Sequence, residues 1–288
     1  MAGELREMKT ERNFERRETE FRMPKIPILY GSPSDLSITS PESLIEQLRE
    51  AGRLRVEQLP QRCILTFEYT EARDILIQMG YEVEEVNLRS LFFKDAYKFK
   101  HSGVPICLFQ LGIGAPLAGA EFDSLLALGV DYSILVGGVG VLNPEISRWA
   151  IIVPEKAIRD EGTSYHYEAP SPYTFPSRML TRLVKETLNE RALKFFEGAV
   201  WTTDAFYRET FRKREAFIRG GAICIDMEAS ALFSIARFRR RDLAALFYAG
   251  DYVGEERWNL RIERDHEEKR RRTMRLLMEV SLETLSKI

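Results

Sequence analysis

The chain has 288 residues, of which 44% are apolar and 30% charged, and its 42 Lys and Arg against 44 Asp and Glu leave a formal net charge of −2. That length fits one large domain or two small ones with a sizeable core. A charge near zero gives no bulk electrostatic case for binding nucleic acid or an anionic membrane.

Residues 1–23 form a dense mixed-charge arm with few apolar anchors. It reads as a frayed or exposed segment, or as a contact arm in an oligomer. Residues 24–288 read as one α/β domain. Pro24 to Pro33 is an extended entry, and Ser40-Pro41 caps and opens a helix. From Pro60 the pattern alternates. Strands are expected over Cys63 to Phe67, Tyr81 to Val86, Val104 to Leu111, Tyr132 to Val136, Trp149 to Val153, Lys194 to Trp201, Ile223 to Ile225 and Leu243 to Ala249. Helices are expected over Thr70 to Met79, from the Gly112–Gly114 turn through Leu128, over Ser177 to Glu190, after Met227, and over His266 to Ser286. Strands alternating with helices predict a central mixed, mostly parallel sheet flanked by helices.

Cys63, Cys107 and Cys224 lie in apolar runs without C-x-x-C spacing and read as small buried hydrophobes in a reducing, cytoplasmic setting. His101, His166 and His266 are scattered and there is no H-E-x-x-H, so no metal site is expected. The N-terminus is too charged for a secretory leader and no apolar run reaches membrane length.

The most informative stretch runs from Gly221 to Ala236. A β-branched run, Ile223 to Ile225, gives way to helical spacing at Ala229, Leu232, Phe233 and Ala236, with Asp226-Met227-Glu228 at the junction. Acids at the mouth of a strand can hold a polar ligand where a parallel sheet opens. A carboxylate accepts two hydroxyl hydrogen bonds, as a vicinal diol requires, and a Met side chain lies well against a sugar face. The bland alternative is a helix N-terminus that favours acids. Upstream stand Arg159-Asp-Glu-Gly-Thr-Ser-Tyr-His-Tyr167, Trp201-Thr-Thr-Asp-Ala-Phe-Tyr-Arg-Glu-Thr210 and Gly112-Ile-Gly-Ala-Pro116. In this order, from about Pro60 to the C-terminus, they resemble the nucleoside phosphorylases of the uridine and hexameric purine type.

The resemblance implies cleavage of the N-glycosidic bond of a nucleoside, with inorganic phosphate as co-substrate, no other cofactor, and a homo-oligomer that is a dimer or a hexamer of dimers. Met227 and Glu228 match the family's ribose pair. Asp251, after Gly250, matches the acid that protonates the purine, and Arg270 or Arg271 resembles the arginine that pairs with it. Phe206 matches the aromatic that stacks on the base; the glutamine of the pyrimidine enzymes' Gln-x-Arg clamp is missing, which favours purines. Arg89, Gly114 and Gly138 are the phosphate candidates, the first donated across a subunit interface. The family's G-D-P-x-R loop is not matched by Thr66 to Arg73, nor its R-V-G-[ST]-x-G by Leu135 to Gly140. A hydrolytic enzyme, with Glu68 or Glu71 activating water, therefore stays open, as does a non-catalytic nucleoside-binding homologue. Arg159, Asp160, Glu161 and His166 read as shapers of the loop beside the pocket. A dinucleotide site is excluded because Gly112-Ile-Gly114 lacks the third glycine and no acid ends the next strand.

Overall fold

Runs of Val, Ile, Leu and Cys with no polar alternation need cover on both faces, and the chain supplies it with helices on each side of one sheet. The computed structural model describes residues 26–67, 69–92 and 94–288, so the charged arm and Glu68 lie outside the described residues. The strands are β1 (Arg62–Thr66), β2 (Glu84–Val86), β3 (Ala96–His101), β4 (Val104–Gln110), β5 (Tyr132–Val141), β6 (Ile151–Asp160), β7 (Tyr173–Thr174), β8 (Phe195–Thr203), β9 (Ala222–Asp226), β10 (Asp242–Val253) and β11 (Trp258–Asn259). The main helices are α1 (Pro41–Glu50), α2 (Tyr69–Gln78), α3 (Ala115–Ala127), α4 (Arg178–Glu190), α5 (Phe211–Arg219), α6 (Ala229–Arg239) and α7 (His266–Leu285).

The sheet order is β11-β10-β6-β8-β9-β5-β1-β4-β3-β2, with β7 on β6. A further β10–β5 pairing closes β5, β10, β6, β8 and β9 into a ring. The long registers β1–β4, β1–β5, β5–β10 and β6–β8 are parallel, and the hairpins are antiparallel. The expected mixed sheet is present.

Alternation along each strand divides the core. Cys63, Leu65, Phe109 and Leu135 pack with Phe122 of α3 and Leu232 and Phe233 of α6. Ile64, Leu108, Ile134 and Val136 pack with Leu76 of α2, Leu180 and Val184 of α4 and Met278 of α7. Each such side chain contributes roughly 1.5–3 kcal/mol on burial. Ser40 caps α1 by accepting from Ser43 N–H at 3.1 Å, as its sequence predicts.

Strand β3 and helix α5 were not expected from the sequence. The strand carries a readable signal: Tyr97 and Phe99 are buried while Lys98 and Lys100 are not. Ser102 and Gly103, with φ of 50° and 81°, then form the tight turn into β4. β5 runs five residues further than expected, through glycines whose missing side chains make room for neighbours. At the edge where β1, β4, β5 and β10 end lie Phe67, the Gly112–Gly114 turn, Gly138 to Gly140, and Gly250-Asp251, and this edge carries the cavity.

Candidate active site

The three residues between β9 and α6 divide their labour. Asp226 accepts from Thr202 Oγ1 at 2.7 Å and from Ala229 N–H at 2.7 Å, so it caps α6. Glu228 turns the other way: its carboxylate accepts from Gly114 N–H at 2.6 Å and Met227 N–H at 3.2 Å. Burial pushes Glu228 up to about 8, helped by the charge of Asp226 and opposed by the Gly114 and Met227 amides. Burial likewise raises Asp226 to about 6.

Glu228 and Met227 open onto a cavity of about 520 Å³ that Phe206, Asp251 and Gly138 also line. Five of the expected site residues thus meet although up to 113 positions separate them in sequence. Gly114 does not itself line the cavity, although its neighbour Ile113 does. Its φ of 97° is open to glycine at little cost and aims the amide at Glu228. Phe206 lies edge-on to Trp258 at 5.3 Å, and the Trp258 indole N–H donates to Asp251. The two rings touch and form one aromatic wall, against which a flat heterocycle can pack.

The cavity also contains residues that sequence reasoning passed over. Glu209, three positions beyond Phe206, is pushed up to about 7 by burial and by the charge of Asp251. Arg148 stacks on Trp149 at 4.7 Å and donates to the carbonyls of Leu260 and Arg261. Burial lowers the Arg148 guanidinium, opposed by the charges of Glu263 and then Asp251, so Arg148 is a cationic neighbour of Asp251 from outside α7. Arg270 does line the cavity, but its guanidinium pairs with Glu71 at 3.0 Å and Glu267 at 2.8 Å. Arg271 is exposed on α7.

At the opposite end the chain fills its own space. A Cβ on Gly138 would meet the Tyr248 ring at 2.7–2.8 Å, and one on Gly137 would meet Phe67 at 3.2 Å. Leu135 is fully buried in the core. The Gly112 amide donates to Glu121 at 2.6 Å, and Lys94 pairs with that carboxylate at 2.7 Å. Arg89 lies outside this cavity: it is exposed and pairs with Asp95 of its own chain at 2.6 Å.

The Arg159–Tyr167 signature works as scaffold. Arg159 is buried, donating to Ser164 Oγ at 2.8 Å and to the carbonyls of Ala169 and Glu168. Asp160 accepts from the Trp201 indole at 2.9 Å, and Glu161 accepts from Ser230 Oγ at 2.8 Å, tying the loop to α6. His166 is exposed.

The family model described as the Phosphorylase superfamily matches residues 69–283. The chain belongs to the phosphorylase superfamily. A uridine phosphorylase from Thermococcus kodakarensis is 32% identical over 122 residues, 41% of this chain and 44% of that one. A guanosine phosphorylase from Halorubrum lacusprofundi is 28% identical over 138 residues, 48% of this chain and 57% of that one. The chain thus spans about half the length of these two relatives. The crystal structure of uridine phosphorylase from Vibrio fischeri superposes with a TM-score of 0.70 at 25% identity, covering 82% of this chain and 95% of that one.

Proposed function

We propose that the protein is an enzyme that cleaves the N-glycosidic bond of a purine nucleoside by phosphorolysis, giving free base and ribose 1-phosphate. The carrying observation is the meeting of Glu228 and Met227 with Asp251 and Phe206 in one cavity. Glycosidic cleavage builds positive charge on the sugar and negative charge on the base, so the two ends need different partners. Glu228 accepts the ribose hydroxyls, whose donors offset the cost of its burial, and Met227 lies along the sugar. Phe206 and Trp258 form the aromatic wall against the base, and Asp251 protonates its ring nitrogen as the bond breaks. Arg148 and Arg270 are the guanidinium groups that line the cavity, and a phosphate dianion would have to compete for them with Glu71, Glu267 and the carbonyls of Leu260 and Arg261. Arg89, exposed on its own chain, would reach phosphate only in a neighbouring subunit's cavity. The protein is accordingly proposed to be a homo-oligomer with a two-fold isologous contact, acting in nucleoside salvage in the cytoplasm; no helix among the described residues is long and apolar enough to cross a membrane.

Hydrolysis is the second reading, favoured by the burial of Leu135, the Tyr248 ring over Gly138 and the carboxylates on the Gly112 and Gly114 amides. Incubation with inosine, guanosine, adenosine and uridine, with and without phosphate, tests both. Phosphorolysis predicts phosphate-dependent base release with ribose 1-phosphate as product. Free ribose in excess phosphate establishes the hydrolytic reading, and no base release from any nucleoside ends both.

A further inference from the structure

The acid at the end of β10 is held by its own hairpin. Between Ala249 and Tyr252 the register of β10 against β5 slips by one residue, because Ala249 pairs with Val139 and Tyr252 with Val141. Such a bulge re-aims a side chain. Here it carries Asp251 to the cavity wall, with Oδ1 3.6 Å from where a Cβ on Gly140 would stand. Beyond the bulge the chain turns back: Gly254 N–H donates to Arg257 O at 3.2 Å, and β11 follows with Trp258 opposite Val253. Asp251 and Trp258 are thus diagonal neighbours across the hairpin, a separation that a side chain as long as an indole can span.

The Trp258 indole spans it, donating its N–H to Asp251 Oδ2. Phe206 packs edge-on against the same indole at 5.3 Å and fixes the ring. Oδ1 of Asp251 accepts from no described residue. The charged groups that face this carboxyl are Arg148, from the segment between β5 and β6, and Glu209, from the turn before α5. Among the described residues only the indole hydrogen-bonds it, so the indole sets which oxygen is left for a ligand.

We infer that Trp258 is the positioning residue of the general acid: its N–H holds Oδ2, so that Oδ1 presents the proton to the base. The inference rests on the glycosidic-cleavage reading above, in which Asp251 is the acid. In that step the electron pair of the breaking C–N bond passes to the base, the Oδ1 proton passes to its ring nitrogen, and Asp251 is left negatively charged. A hydrogen bond to a charged acceptor is stronger than one to a neutral acceptor. The Trp258 contact therefore tightens as the proton leaves. Only interactions that are stronger in the transition state than in the ground state speed the step, and this is one.

Trp258→Phe removes the N–H and keeps an aromatic ring. The ratio of kcat/KM on a purine nucleoside to kcat/KM on a nitrophenyl riboside should fall about tenfold, the difference between a charged and a neutral acceptor. The second leaving group departs without a proton and gains nothing from the acid. In an Asp251→Asn background the same substitution should leave the ratio where Asp251→Asn alone puts it, since Trp258 acts through Asp251. A loss that falls equally on both substrates, or that persists undiminished in the Asp251→Asn background, assigns Trp258 to the aromatic wall alone and overturns the inference. The contact is also measured without turnover. Of the three indole N–H signals in the nitrogen-15 spectrum, the one lost in Trp258→Phe should move in Asp251→Ala. An unmoved signal overturns the inference at any level of activity. A signal that moves in a protein that releases no base removes the catalytic reading and keeps Trp258 as the residue that orients Asp251.

Discussion

The two ends of the cavity are built on opposite terms. At the ribose and base end, Glu228, Asp251 and Glu209 project into open space from strand ends and a fixed turn, and two of these acids are raised by burial. At the other end the glycine turns that could cradle an anion are already answered: Gly112 by Glu121, Gly114 by Glu228, Gly138 by the Tyr248 ring. The first arrangement leaves carboxylates bordering the cavity, even where amides already hold them as Gly114 and Met227 hold Glu228, whereas the second closes on itself. Side chains of one type, carboxylates, do both jobs. What separates them is whether the carboxylate also borders open space: Glu228, Asp251 and Glu209 line the cavity and Glu121 does not.

The largest expected effect lies at the open end. Glu228→Ala should abolish measurable base release in a folded protein, because two charge-assisted contacts at roughly 1.5–3 kcal/mol each would be lost from the transition state. Near-normal turnover by a folded variant, followed by free-base absorbance, would remove the ribose assignment.

Asp251→Asn should slow purine nucleosides by about 10²- to 10⁴-fold, the range of general acid catalysis. It should slow a nitrophenyl riboside far less, since that leaving group departs without a proton. Equal slowing of both substrates would mean that Asp251 binds or positions and does not donate.

At the closed end the expected loss is of stability. Leu135→Ala removes a fully buried side chain from the core and should cost about 2–5 kcal/mol in denaturant unfolding. If it is instead neutral and raises phosphate affinity, the Leu135 position is a substrate subsite and the contrast between the two ends fails.

The most gradual effect is a pH slope. Glu228 holds its proton more tightly in the folded protein, up to about 8, than a carboxyl does when unfolded. Its contribution is therefore fully present below the ordinary carboxylate range and is lost as pH rises through about 8, at no more than about 1.4 kcal/mol per pH unit. Thermal unfolding of ligand-free protein should shift to lower temperature between about pH 5 and 8, and Glu228→Gln should flatten that slope. A midpoint that climbs over this range in the wild type but not in the variant would reverse the sign assigned to Glu228.

The alternation of apolar runs, the Ser40 cap, the acids at the ends of β9 and β10 and the Arg159–Tyr167 scaffold could all be read along the chain, because each depends on residues a few positions apart. Strand β3 was equally readable in Tyr97-Lys-Phe-Lys-His and the Ser-Gly turn into the expected β4, but it lacks a long apolar run. Other features had no local signal. In Asp226-Met-Glu228, only the fold sends Asp226 to cap α6 and Glu228 into the cavity, since the Gly114 amide that receives Glu228 is 114 residues away. The Tyr248 ring over Gly138, Arg148 beside Asp251, and Glu209 facing Asp251 arise from strand register and loop return across the sheet. Sequence thus determined which chemistry the chain carries, because side-chain type and short-range spacing are local. Tertiary structure decided which of those groups remain open to a ligand, because satisfaction of a polar atom depends on whatever the fold brings within hydrogen-bond reach.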